Sequence, residues 1–165
     1  MKKTLLFCII VLTLFALSAC QNRNNHIEFD YQVLRTSEHK ADNLPIATII
    51  SSRYELEQYY INVCRGTHHS PDEFAALCFQ AIEKNPDEFF ENNYLVIVLL
   101  EERSGSIRHE VKSIDKRGRI TINRLLPSRG SMVTQDMAEW HIVIELGNGF
   151  HPEQFNVILK DKTAA

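Results

Sequence analysis

The residue types able to do chemistry in this 165-residue chain are its histidines, cysteines, carboxylates and one serine-containing turn. His141 is the candidate general base, since Glu139 and Asp136 precede it closely enough to orient an imidazole ring. That arrangement would indicate a hydrolase with site residues scattered along the sequence. One histidine without a visible partner is not a site, however, and we expect no catalytic residues and no enzyme activity.

The seven histidines and four cysteines contain no metal-binding spacing. Cys-x-x-Cys, His-x-x-x-His and His-Glu-x-x-His are all absent from the sequence. His68 and His69 are adjacent in a polar connection, where histidines are more often solvated than ligating. We therefore expect neither a metal nor another cofactor.

The first 19 residues have the order of features found in a targeting segment. Lys2 and Lys3 precede an apolar stretch from 5 to 17, which has the length of a signal-peptide core and is shorter than a membrane span of roughly 20 residues. The stretch ends in Leu17-Ser18-Ala19-Cys20, which resembles the bacterial lipobox. The resemblance implies cleavage before Cys20 and lipidation of its thiol, with acyl chains such as palmitate. The alternative is an uncleaved hydrophobic helix with a chance cysteine.

Cleavage would leave a lipidated tether at 20–26 and a single globular domain at 27–165. Loss of Lys2 and Lys3 moves the formal net charge from -3 to about -5. An acidic balance argues against nucleic acid and against anionic lipid headgroups as partners. We expect the protein on the extracytoplasmic face of the cell envelope, attached to the membrane through the lipid on Cys20.

Two cysteines remain available for pairing after processing. Cys64 and Cys78 are an even pair in an exported protein, so one disulfide is possible. The alternative is that each thiol is a small buried hydrophobe.

Three helix-start signals lie in the first half of the chain. Ser52 and Glu55 form a capping-box pattern ahead of a helix over 53–64. Ser70-Pro71 begins a second helix, and Asn85-Pro86 a very short third one.

Seven segments have the composition and alternation of strands. The segment 95–100 is apolar throughout, which predicts a central strand covered on both faces. The residues 103–106 have the composition of a hairpin turn. We predict an α+β fold with two to three N-terminal helices packed on a mostly antiparallel β-sheet of five to seven strands. The remaining predicted strands centre on 29–34, 46–50, 107–112, 120–122, 140–146 and 155–159.

The C-terminal half resembles the C-terminal domain of PrcB-type lipoproteins, which stabilise a surface protease complex. The residues that carry the resemblance are the apolar strand 94–100, the turn Ser104-Gly105-Ser106, the strand 107–111, and the segments 118–122 and 140–144. The resemblance implies a β-rich module without catalysis that binds an exported protein. The first candidate contact is then Ser104, Gly105 and Ser106, with Arg108 beside them. A solvated turn is the alternative reading of the same residues.

The sequence thus favours a membrane-anchored extracytoplasmic lipoprotein that acts as a non-catalytic protein-binding or accessory module. A small-ligand-binding lipoprotein is the alternative, although 146 residues leave little room for two lobes around a cleft. The hydrolase is the second alternative.

Overall fold

The computed structural model describes residues 27–36, 43–64, 70–80 and 86–163. The predicted signal segment and tether, and the pair His68-His69, lie outside these residues. Among the described residues, no helix has the length and apolar character needed to cross a membrane.

Among the described residues, three helices precede the main run of strands, and two of them begin at serine caps. Helix α1 spans Arg53–Val63, α2 spans Pro71–Cys78 and α3 spans Pro86–Asn92. The Ser52 hydroxyl accepts a hydrogen bond from the Glu55 backbone at 3.2 Å, and Ser70 forms a full capping box with Glu73. These side chains satisfy backbone N–H groups that a helix start leaves without partners.

In the part of the chain that the structure describes, seven strands form two sheets. The four-stranded sheet has the order β1-β6-β3-β2 with antiparallel pairs throughout, and the three-stranded sheet has the order β4-β5-β7. Strands β4 and β5 are antiparallel, whereas β5 and β7 are parallel. The strand bounds are Asp30–Thr36 (β1), Ile46–Ile50 (β2), Asn93–Glu102 (β3), Arg108–Ile114 (β4), Arg119–Leu126 (β5), Ala138–Gly147 (β6) and Asn156–Thr163 (β7).

The four-stranded sheet is the middle of three layers. Leu95 and Ile97 of β3 face the helices, in a cluster that also contains Phe74 of α2. Val96 and Val98, which alternate with them, face Ile120 and other residues of the three-stranded sheet. The expectation that the segment 95–100 is covered on both faces is therefore confirmed, because adjacent residues of a strand point to opposite faces.

The predicted α+β class and the mostly antiparallel pairing are confirmed. The strands are divided between two sheets, however, so the turn between β3 and β4 is a corner that carries the chain from one sheet to the other. It is not the hairpin that the residues 103–106 predicted, since β3 and β4 are not paired with each other.

The two sheets share two ends, which are named here for later use. The turn end contains the β4–β5 turn at 115–118 and the connection 148–155. The loop end contains the corner 103–107 and the long connection 127–137. Strand β5 runs from the turn end to the loop end. Its length at 3.3 Å per residue is about 23 Å, which is the separation of the two ends.

Candidate functional site

The serine-containing corner is held by hydrogen bonds to the connection between β5 and β6. Ser106 Oγ accepts from the Thr134 backbone N–H at 3.0 Å, and both Ser104 Oγ and Ser106 Oγ lie within 3.3 Å of Thr134 Oγ1. The Gly105 N–H donates to Asp136 Oδ1 at 3.3 Å. The corner is therefore braced by a second chain segment, rather than being a turn that only water surrounds.

Two arginines cover the single tryptophan beside this corner. The Arg35 guanidinium carbon lies 6.0 Å from the centroid of the Trp140 ring, and that of Arg108 lies 5.8 Å from it. Both distances are within the range of a cation–π contact. Arg35 also forms an ion pair with Asp136. The corner thus brings together the predicted contact residues and Arg35, which the sequence did not single out.

The carboxylate of Asp136 is strongly held in its ionised form. A hydrogen bond from the Thr134 side chain is the largest cause, and hydrogen bonds from Arg35 and the Gly105 backbone add to it. Together they lower the pKa of Asp136 to about 2. Asp136 is therefore a fixed negative charge that positions Arg35 and the corner, and it does not serve as an acid or base near neutral pH.

The connection that braces the corner also exposes large apolar side chains. Met132 is 99% exposed, and Val133 and Met137 are exposed as well. They flank Thr134 and Asp136, the residues that hold the corner. We call the surface made by Arg35, the corner 104–106, Arg108 and the connection 127–137 the loop-end surface.

A buried charged cluster lies beneath the loop-end surface. The Glu102 carboxylate, 3% exposed, accepts two hydrogen bonds from Arg124, one from Nε and one from Nη2, each at 2.7 Å. His109 Nε2 lies 3.0 Å from the same carboxylate. Arg124 Nη1 reaches outward to Asp161 at 2.8 Å. The His109 ring is 5.4 Å from the Trp140 ring, which joins the cluster to the surface above it.

Burial and pairing set the charges within this cluster. Burial favours protonation of Glu102, but the hydrogen bonds and the charges of Arg124 and His109 outweigh it and lower the pKa of that carboxyl. Burial lowers the pKa of His109, and the effect exceeds the opposing one of Glu102 because Arg124 already balances the carboxylate. Near neutral pH the cluster is an Arg–Glu ion pair with a neutral histidine that donates from Nε2. His109 alternates with the apolar Ile107 and Val111 along the sequence, whereas no local pattern there indicates Arg124, which comes from the next strand.

His141, the candidate general base, lies among the helices with its side chain buried. It is 1% exposed, with Nδ1 at 2.9 Å from Thr36 Oγ1 and Nε2 at 3.5 Å from Cys64 Sγ. Glu139 shares this face of β6, since it is two residues away, whereas Asp136 binds Arg35 and Gly105 at the loop end. His141 is therefore enclosed by side chains of β1, α1 and β6.

Cys64 and Cys78 are both free and buried, so the possible disulfide is not formed. Burial is the main cause that raises the pKa of both thiols, to about 12 for Cys64. The structure therefore agrees with the alternative that each thiol is a small buried hydrophobe. The contact between Cys64 and His141 joins residues 77 positions apart, which no spacing in the sequence could indicate.

One cleft lies between β1, β6 and the end of α2, and it bears on the small-ligand alternative. Its volume is about 170 Å³, and Tyr31, Cys78 and Glu145 are among the residues that line it. Pockets for small molecules have volumes of about 300–1,000 Å³. This cleft is smaller than that range, whereas an open groove lined by Lys116, Arg117 and His151 has a volume of about 530 Å³. Within the described ranges, no group of three or more histidines, cysteines or carboxylates is placed to hold a metal ion.

Comparisons of the chain with protein-family models, with curated proteins and with solved structures found no match.

Proposed function

We propose that this chain is a lipoprotein anchored through Cys20 on the extracytoplasmic face of a membrane, where its domain acts as a non-catalytic protein-binding or accessory module. The resemblance of Leu17-Ser18-Ala19-Cys20 to a lipobox supports the anchor. The resemblance of the C-terminal half to PrcB-type lipoproteins supports an accessory role of the protease-complex-stabilising type.

The loop-end surface is the observation that carries the binding role. Methionine and arginine are enriched at protein interfaces, and this surface combines exposed Met132 and Met137 with two arginines that lie over the buried Trp140. Side chains as exposed as Met132 gain nothing for the isolated fold, since they make little contact with it. Burial against a partner would remove their apolar area from water.

The contacts beneath the surface also suit a binding role. Arg35 is fixed by Asp136, and the corner is fixed by Thr134 and Asp136. A surface whose polar groups are already held in place loses less conformational entropy when a partner binds. The partner inferred from this chemistry is an exported protein with apolar and acidic groups, since the surface offers methionines and guanidinium groups.

The test is affinity capture with the full chain from detergent-solubilised envelopes of the cells that make it. We expect one protein to be recovered reproducibly with the wild type. Capture by the double variant Arg108→Glu/Met132→Asp should fall at least tenfold, since each interface residue of this kind contributes about 1 kcal/mol or more.

A matched control makes the same two types of change elsewhere. Tyr54 and Lys112 are exposed outside the loop-end surface, and Tyr54→Asp/Lys112→Glu should retain capture. Equal recovery with both double variants, or no reproducible protein with the wild type, would contradict the proposal.

A further inference from the structure

The tether joins the fold at the turn end. The Ile27 backbone N–H donates to the carbonyl of Ile114, the last residue of β4, at 2.8 Å. Ile27 and Phe29 pack against the core between the two sheets. The point where residues 20–26 meet the domain is therefore fixed next to the β4–β5 turn.

That turn and the first residue of β5 carry three exposed basic residues. Lys116, Arg117 and Arg119 line an open groove of about 530 Å³, together with His151 of the connection 148–155 and Asn156, the first residue of β7. No carboxylate among the described residues lies within 4 Å of the side-chain nitrogens of Lys116 or Arg117. Their charges are therefore available to a ligand.

Two acidic residues share this region and do not cancel its charge. Asp115 Oδ1 accepts hydrogen bonds from the backbone N–H groups of Arg117 at 2.9 Å and Arg119 at 3.0 Å, and Asp115 Oδ2 lies 3.8 Å from Arg119 Nε. Asp115 thus shapes the turn from inside it. Glu153 lines the groove itself, so three basic residues stand against Glu153 and the nearby Asp115. This leaves a local excess of positive charge in a domain that is acidic as a whole.

The turn is rigid enough to present these side chains as a unit. Gly118 has a φ of 75°, and its carbonyl accepts a hydrogen bond from the Asn156 backbone at 3.0 Å. This hydrogen bond joins the turn to the start of β7, so the basic side chains project from a fixed base.

The length of the tether limits which face of the domain can meet the membrane. Seven peptide steps separate Cys20 from Ile27, and a fully extended chain of that length spans at most about 25 Å. A domain of this size has a radius of gyration of about 15 Å, and its width is more than twice that radius. The extended tether is therefore shorter than the width of the domain. A lipid on Cys20 would keep the turn end close to the bilayer and the loop end away from it.

We propose that Lys116, Arg117 and Arg119 form a membrane-orienting surface that binds anionic phospholipid headgroups of the bilayer that holds the Cys20 lipid. The inference rests on the proposed lipid anchor. It revises the expectation, drawn from net charge alone, that headgroup attraction plays no part. The loop-end surface then points away from the membrane, toward exported proteins.

The expected strength follows from the charge count. Each basic residue close to an anionic membrane changes partitioning by about fivefold, so the unpaired Lys116 and Arg117 together change it by about 25-fold. Arg119 adds less, because its guanidinium is already paired with Asp115. The attraction acts over a Debye length of about 10 Å at 0.1 M salt and is weakened at higher ionic strength.

The experiment measures orientation of the full lipidated chain in vesicles. A fluorophore is placed at Gln154→Cys in the groove, or at Met132→Cys at the loop end, and is quenched by headgroup-labelled lipid. We expect quenching at position 154 to rise when phosphatidylcholine vesicles contain about 30% phosphatidylglycerol. Quenching at position 132 should stay low in both vesicles, and added salt should reverse the rise at 154.

Charge reversal tests whether the three residues are responsible. Lys116→Glu/Arg117→Glu should abolish the rise at position 154, whereas Arg103→Glu/Lys160→Glu, with the same change in net charge away from the turn end, should retain it. A rise that survives the first variant, or equal quenching at both positions in both vesicles, overturns the proposal.

The mass of the purified chain separates this proposal from the anchor on which it rests. A chain with lipid on Cys20 but without lipid-dependent quenching at position 154 keeps the anchor and rejects the membrane-orienting surface. A chain without lipid on Cys20 rejects both.

Discussion

Glu102 is a carboxylate with almost no solvent contact, and its partners come from the other sheet. Arg124 binds both of its oxygens and His109 binds one. At the end of a strand pattern, Glu102 could not be distinguished from a solvated carboxylate by sequence, because burial there depends on how β4 and β5 are placed over β3. His109, which alternates with apolar neighbours, could be assigned to the interior.

The two carboxylates that bind Arg124 should differ in their contribution to stability. Replacing Glu102 by Gln leaves the Arg124 charge partly buried without its main partner, and we expect the free energy of unfolding to fall by about 3 kcal/mol. Asp161→Asn removes an exposed partner of the same arginine and should cost less than about 1 kcal/mol. Urea unfolding curves of the purified variants measure both. Similar losses for the two would show that the buried pair does not stabilise the fold in the way described.

At the scale of elements, periodicity predicted where helices and strands lie, but not how the strands pair. The predicted helix over 53–64 and the strand 46–50 match α1 and β2 closely, because a capping serine and an apolar run are local signals. The parallel pair of β5 and β7 has no local signal. The corner 103–107 has no local signal either, since a turn of small residues suits a hairpin and a change of sheet equally well.

Gly118 gives a test of the β4–β5 turn as an element. A Cβ atom there would lie 2.3 Å from the Gln154 carbonyl oxygen, and the positive φ is strained for any L residue. We expect Gly118→Ala to lower the free energy of unfolding by about 3 kcal/mol. Gly130 has a φ of 91° with open space around it, so Gly130→Ala carries only the backbone strain of about 1 kcal/mol. Equal losses for Gly118→Ala and Gly130→Ala in urea unfolding would show that the contact between Gly118 and the connection 148–155 does not stabilise the turn.

At the scale of the whole molecule, the two ends have different chemistry. The turn end has basic residues and the entry of the tether, and the loop end has exposed methionines and the arginines over Trp140. The sequence could indicate the tether and the corner separately. The sequence could not show that the tether and the corner lie at opposite ends of the domain. That arrangement depends on the direction in which β4 and β5 run between the turn end and the loop end.

We expect the short tether to contribute to orientation by keeping the membrane-orienting surface close to the bilayer. Inserting 20 glycine and serine residues between Asn24 and Asn25 lowers the effective concentration of the turn end at the bilayer, by about eightfold on the −3/2 power of chain length. Quenching at position 154 in anionic vesicles should therefore fall, while the mass of the lipid on Cys20 stays the same. Unchanged quenching after the insertion would mean that tether length has no role in orientation.

The pairing of β1 with β6 has a consequence for the order in which the protein folds as it is made. Asp30 lies opposite Glu145, so β1 cannot pair until a strand about a hundred residues later has been synthesised. At common rates of synthesis this interval is roughly 5–20 s. The last strand, β7, is needed to complete the other sheet. Neither sheet can be completed until nearly the whole chain has been synthesised. We therefore expect the chain to remain unfolded during most of its synthesis and to fold late.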